Sequence, residues 1–258
     1  MVDYSTQPDN RRMADVVAAR LEELILDGVV RPGELLPSER RLCDRLGVSR
    51  ASLREGLRVL RGKGIIETRQ GRGSRVTQLL PRHDDSPLMH LFRDHPRTLY
   101  DLLEVRTLLE GESARLAALR GTPADRVMIT RHFEAMVDYT ASTAAIDAER
   151  LARFDHAFHR AICEASHNPV LVYTLQGLTD LLLSSVFASV KNLYHRPGPR
   201  EQINRQHERL FHAVIDQDPE AARQAALDHL ASIGDNLREI EAEDERLERS
   251  AMRLEAWE

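Results

Sequence analysis

The sequence predicts a mainly α-helical protein in two parts: a small helical unit closed by a β-hairpin, then an all-helical bundle of six to seven helices. Three observations predict it. Aromatic residues make up only 5% of the 258 residues while Leu, Ala, Glu and Arg dominate, a composition that favours helices. Apolar residues recur at helical spacing in nearly every segment, and strand signals are confined to one short stretch near residue 70. Charge is divided unevenly. Residues 1–80 hold 15 Lys/Arg against 11 Asp/Glu and the remainder holds 21 against 30, within a formal net charge of −5. That asymmetry suggests a basic module joined to an acidic one. Apolar residues at 42% are enough for a sizeable core.

In chain order, Met13–Asp27 reads as a helix with Val16, Val17, Leu21, Leu24 and Ile25 on one stripe and Gly28 as its stop. "RPGELLPSER" is a turn, and Ser38 caps a helix that stops at Gly47. Ser49 caps the next, "RASLREGLRVLRGKG". "IIETRQGRGSRV" reads as a hairpin, two β-rich arms around a glycine-containing turn. Thr77–His95 mixes Pro, Asp, Ser and His as a linker does. From Pro96 onward six helical segments are expected, at roughly 96–120, 123–141, 145–165, 169–194, 200–216 and 219–247. Thr122-Pro123, Asn168-Pro169 and Asp218-Pro219 each supply an N-cap followed by Pro at the first helical position, and Gly198-Pro199 reads as a break. The expected boundaries are a first domain at 1–78, a linker at 79–95, the bundle at 96–247 and a charged, frayed tail at 248–258. Val170–Val190 is the most apolar stretch, but Gln176, Thr179 and Asp180 make it a buried core helix rather than a membrane span.

Helix, short turn, helix and basic hairpin form the layout of a winged helix-turn-helix, whose second helix enters the DNA major groove. Val48–Arg75 carries 8 basic and 2 acidic residues. The N-terminal turn of that second helix holds Ser49, Arg50, Ala51, Ser52 and Arg54, while Leu53, Leu57 and Leu60 form an adjacent stripe for the core. The helix can thus bury one side and present Arg50 and Arg54 to guanine edges or phosphates, which the arginine fork suits. Arg69, Gln70, Gly71 and Arg72 at the hairpin tip are placed to enter the flanking minor groove. The competing reading is a solvated arginine face. The stretch "LPSERRLCDRLGVSRASLREGLRVLRGKGIIETRQGRGSRV" resembles the DNA-binding domain of the GntR family of bacterial regulators. The resemblance implies that Arg40, Arg50, Arg54 and Gln70–Gly71 contact double-stranded operator DNA, and that the protein acts as a homodimer.

In the bundle, "FDHAFH" places Asp155 and His159 on the stripe of Leu151, Phe158 and Ile162, facing the interior. His207 sits among Ile203, Leu210, Phe211 and Val214, and His229 among Ala222, Ala225, Ala226 and Ile233. A single core histidine is usually just hydrogen-bonded. A buried carboxylate together with three imidazoles is better neutralised by a divalent cation, zinc first, with nickel or manganese as alternatives. His156 and His212 fall off these stripes and are not expected as ligands. Arg106 lies with Leu99, Leu102, Leu103 and Leu109 and also points inward. It either pairs with Glu110 or Glu104, or anchors a carboxylate effector. A six-coordinate ion with four protein ligands keeps two open positions, which a 2-hydroxy or 2-oxo carboxylate can fill with its carboxylate and its neighbouring oxygen.

"DLLEVRTLLEGESARLAA" and "FDHAFHRAICEASHNPVL" resemble the effector domain of the FadR subfamily of that family. There an Asp-x₃-His pair and two later histidines form a metal site beneath an organic-acid pocket. "SPLMHLF", "LTDLLLSSVFASVKNLYHRP" and "RQHERL" narrow the resemblance to members governing two-carbon hydroxy acids. That implies glycolate as effector and activation of the genes for its use. Lactate, pyruvate or a sugar acid, with repression, is the alternative, and RNA polymerase is a possible partner. A metallohydrolase using the same ligands is the rival class, weakened by the lack of an evident catalytic acid or base. Cys43 and Cys163 show no pairing motif, which fits a reducing cytoplasm.

Overall fold

A computed structural model describes residues 7–69, 73–77, 95, 97–142, 147–185, 193 and 196–255. The chain divides into two compact units, Met1–Arg82 and His83–Glu258. The expected linker falls outside the described residues except for His95, as do Gln70, Gly71 and Arg72 at the hairpin tip.

The first unit holds α1 (Gln7–Leu26), α2 (Glu39–Leu46), α3 (Arg50–Gly62) and the antiparallel strands β1 (Ile66–Arg69) and β2 (Gly73–Val76). Helix α1 begins six residues before the expected Met13. Ser38 accepts from the Arg41 amide and Ser49 from the Ser52 amide, and Gly47 ends α2 in the left-handed region at φ 67°. Strand register is set by Ile66 opposite Val76, both buried. They join Val17, Leu21, Ile25, Leu42, Leu53, Leu57 and Leu60 in one core. Gly56 lets α1 and α3 touch, because a Cβ there would lie 2.6 Å from Val17 Cγ1.

The second unit comprises α4 (Arg97–Arg120), α5 (Pro123–Ser142), α6 (Ala148–Ala165), α7 (Pro169–Ser185), α8 (Pro197–Ile215) and α9 (Pro219–Glu255). The three cap-plus-proline starts operate as read: Thr122 Oγ1, Asn168 Oδ1 and Asp218 Oδ1 accept from the amides of Asp125, Leu171 and Ala221. Helix α6 begins at Ala148, capped by Asp147, three residues after the expected start, and residues 186–192 and 194 of the expected 169–194 helix lie outside the described residues. Two further boundaries differ. Helix α8 begins at Pro197, so Gly198-Pro199 lies within its first turn, where a proline's missing N–H costs nothing. Helix α9 continues to Glu255 through the stretch read as a frayed tail. Pairs such as Arg249–Glu245 support its solvated end. Leu99, Leu103, Ile129, Leu151, Phe158, Ile162, Ile203, Leu210, Val214 and Leu237 form the main core, with Phe133 stacked on Phe211 at 4.2 Å. Helix α4 packs on α9, α6, α7 and α8, and so lies at the centre of the bundle. Among the described residues no helix is long and apolar enough to cross a membrane.

Candidate metal and effector centre

Helical spacing turns Asp155 and His159 inward from α6, His207 from α8 and His229 from α9. One ligand atom from each lies within 4.8 Å of every other. His207 Nε2 is 3.2 Å from His159 Nε2 and 3.0 Å from Asp155 Oδ1, and the imidazole centroids lie 4.5–5.2 Å apart. His207 and His229 are each 1% exposed. Donors about 2.1 Å from one ion are separated by roughly 3–3.4 Å, so the Nε2 and Oδ1 spacings suit a shared cation. The buried Asp155 Oδ1 is satisfied by no regular hydrogen bond among the described residues, and its nearest polar neighbour is His207 Nε2 at 3.0 Å. A buried anionic oxygen left in this state is costly, and a cation would satisfy it.

Electrostatics prepares the same chemistry. Burial pushes the Asp155 carboxyl up, but the imidazoles of His207, His159 and His229 outweigh this and hold it far below the ordinary range. Burial holds His207 below the ordinary imidazole value and His229 well below it, leaving both neutral with lone pairs available. His159 moves upward despite burial, because Glu110 and Asp155 favour its charged form.

Glu110 was not named as a site residue from sequence, although it shares the inward stripe of α4 with Leu103 and Arg106. It is 8% exposed. Its Oε1 accepts from Arg106 Nε at 2.7 Å and lies 2.5 Å from Nη2, while its Oε2 lies 3.2 Å from His159 Nδ1. Against burial, Arg106 and His159 hold its carboxyl down at about 2. Gln206 Oε1 stands 3.4 Å from His229 Nδ1 in the same supporting manner. Next to Glu110, Gly111 admits α9: a Cβ there would lie 2.8 Å from Leu227 Cδ2, two residues before His229.

Beside the cluster lies a cavity of about 80 Å³, on a measure by which one water takes about 10–15 Å³. Arg106, Asp155, His159 and His229 line it together with Ser113, Gln176 and Thr179. Arg106 therefore pairs with Glu110, the first of the two alternatives read from the sequence, and it also lines the cavity. His156, set aside as a ligand, also lies in the wall but outside the four-residue cluster.

The charge arrangement gives a pH expectation for metal-free protein. His207 and His229, with lowered values, contribute stability that is lost as pH falls below about 6.5. Glu110 and Asp155 contribute stability present above about 4.5 that is lost as pH falls toward about 2. The raised His159 contributes fully below 6.5, so it does not oppose the trend there. Urea midpoints of chelator-treated protein are expected to fall steadily from about pH 6.5 to about pH 4. A midpoint that rises on acidification would contradict this charge distribution.

In the first unit Arg40, Ser49, Arg50, Ala51 and Arg54 are exposed at the start of α2 and α3. Arg54 Nε contacts Glu39 Oε2 at 3.0 Å with both side chains largely solvated. Ser52 differs from its neighbours. It is 5% exposed and its hydroxyl lies 2.9 Å from that of Ser49, so it belongs to the cap and not to the open face.

Two family models match the chain: "Bacterial regulatory proteins, gntR family" over residues 13–76 and "FCD domain" over residues 101–232. The "Glc operon transcriptional activator" of Escherichia coli K12 is 58% identical over 96% of this chain and 97% of its own length. The chain belongs to the GntR family. The "Putative L-lactate dehydrogenase operon regulatory protein" of the same organism is 36% identical over 92% of this chain and 90% of that one. A solved structure of Streptococcus agalactiae GntR superposes with a TM-score of 0.52 at 26% identity, covering 85% of this chain and 98% of that chain. This GntR regulator is thus a DNA-binding transcription factor with an FCD effector domain, and not an enzyme. Its four-residue cluster is a possible metal site within that domain.

Proposed function

We propose that this GntR regulator binds a divalent ion, zinc foremost, through Asp155, His159, His207 and His229, and senses glycolate on that ion and on Arg106. One observation carries the reading: four ligand atoms converge within 4.8 Å, and three of their residues, Asp155, His159 and His229, line a small cavity that Arg106 also lines. Bound there, the ion supplies a Lewis-acid anchor for the oxygens of the acid. The chain's own residues do the rest. Arg106 offers a cationic fork to a carboxylate. Leu103, Ala114 and Ala152 close the cavity around a small carbon skeleton. The cavity volume fits an acid of two or three carbons, and the 58% identical relative is named for the glc operon. As a homodimer, the protein presents Arg40, Arg50, Arg54 and the hairpin tip to operator DNA and activates glycolate-use genes, with the effector favouring one arrangement of the heads energetically.

The test is a thermal-shift series of glycolate, glyoxylate, lactate and pyruvate on zinc-loaded and chelator-treated protein. Glycolate at a hundred times its dissociation constant is expected to stabilise the loaded protein by about 2.7 kcal/mol and the stripped protein by far less. An equal shift in both would detach the effector from the metal. A larger shift with lactate would move the assignment to the three-carbon acid.

A further inference from the structure

We propose that Glu110 is the positioning residue that prepares both halves of this site: its Oε2 fixes the tautomer of His159 for the metal, and its Oε1 fixes the guanidinium of Arg106 for the effector. The inference rests on the metal reading above and extends it to a residue outside the ligand set.

A neutral imidazole presents one lone pair, and which nitrogen carries it depends on the partner of the other. The Nε2 of His159 is the atom aimed at His207 and Asp155, at 3.2 Å and 3.8 Å. For that nitrogen to coordinate, the proton must sit on Nδ1. Glu110 Oε2 stands 3.2 Å from Nδ1. An ionised carboxylate can only accept, so it admits only the Nδ1–H form. Carboxylate–histidine–metal arrangements of this kind orient the ring and raise its basicity as a ligand.

The second oxygen performs the matching task on Arg106. Both contacts from the guanidinium, by Nε and Nη2, fall on Oε1, and no described residue takes the donors of the far edge, which face an anion-sized cavity. An i,i+4 pair along one helix would by itself be an ordinary stabilising contact worth a few tenths of a kcal/mol. Its side chains here are only 12% and 10% exposed, and the third partner comes from a different helix, which a simple helix pair does not require. Among the described residues Glu110 is also the only carboxylate in the cavity wall besides Asp155. An acid drawn to Arg106 and an ion drawn to His159 therefore share one intermediary, and each is expected to alter the hold of the other.

The experiment uses full-length protein and zinc alone, with no organic acid present. Competition against a chromogenic chelator is expected to show zinc bound about 10- to 100-fold more weakly by Glu110→Gln than by the wild type. At saturating zinc, glycolate is expected to bind the variant more weakly by calorimetry. Zinc affinity equal to wild type overturns the first half, and unchanged glycolate affinity overturns the second. A purely structural role would lower the melting temperature while leaving both affinities of the folded protein in place. Should Glu110→Gln fail to fold, long-range ¹H–¹⁵N spectra of metal-free wild-type protein at alkaline pH decide the matter. His159 protonated on Nδ1 supports the proposal, and a proton on Nε2 refutes it. Wild-type protein that takes up no zinc sinks the metal reading itself, a result distinct from a zinc-binding wild type whose variant is unaffected.

Discussion

The His207→Ala protein is expected to retain less than about a tenth of the wild-type zinc after dialysis, and to lose its thermal response to glycolate with it. Structural zinc sites bind with about 10–16 kcal/mol spread over some four ligands, so one ligand is worth roughly 3 kcal/mol, or about a hundredfold in affinity. His207 is the ligand whose loss should show most clearly. Its Nε2 is nearest to two of the others, Asp155 Oδ1 at 3.0 Å and His159 Nε2 at 3.2 Å. It is buried against the edge of Phe158, with ring centroids 5.6 Å apart, so no solvent molecule can easily replace it without opening the core. The exposed His212, five residues on along the same helix, is the control, and His212→Ala should keep its metal. Zinc per chain by elemental analysis checks the expectation. Wild-type content in His207→Ala would remove His207 from the ligand set and overturn the four-residue centre.

The centre was legible in the sequence because its four residues obey a local rule. Each occupies a position of helical period whose neighbours are apolar, and such a position faces inward whatever the partner helix turns out to be. Helix starts were legible for the same reason: Ser38, Ser49, Thr122, Asn168 and Asp218 satisfy amides only three residues away. What escaped depends on contacts between distant segments. Glu110 could be read as the i,i+4 partner of Arg106, but its reach to His159 requires α4 and α6 to meet at one particular height. The close approaches at Gly56 and Gly111 set such heights in the two units, and a glycine in a helical run does not reveal which neighbour it admits. Ser52 groups in sequence with the DNA-facing turn because it lies beside Arg50 and Ala51, yet it is buried. Its burial follows from pairing with the cap hydroxyl of Ser49, a consequence of how the first turn of α3 closes. The full extent of α9 was hidden because a solvated helix lacks the apolar stripe on which its recognition depends.

On the DNA side, Arg50→Ala and Arg54→Ala are each expected to weaken operator binding by about 5- to 150-fold, the effect of losing one bidentate base contact worth about 1–3 kcal/mol. Both residues extend from the exposed first turn of α3, while Leu53, Leu57 and Leu60 bury the other side in the core, so truncation should leave the fold intact. Arg54 is held by Glu39 across two largely solvated side chains, 69% and 44% exposed. A pair of that kind is worth about 0–1 kcal/mol, so a phosphate or guanine can take Arg54 from Glu39 at little cost. Glu39→Gln should accordingly bind DNA as well as wild type or better. Loss of a base contact relaxes preference at one position of the site, whereas loss of a phosphate contact, the role that suits Arg40, weakens all sequences alike and lowers the salt slope by about one. Gel shifts on a site selected from random DNA, repeated with single-base changes and at two salt concentrations, separate these roles. Glycolate and zinc binding by both arginine variants should match wild type, since every residue assigned to those ligands lies in the second unit. Full operator affinity in the Arg50→Ala, Arg54→Ala double variant would leave α3 as a solvated helix and move DNA recognition to some other surface.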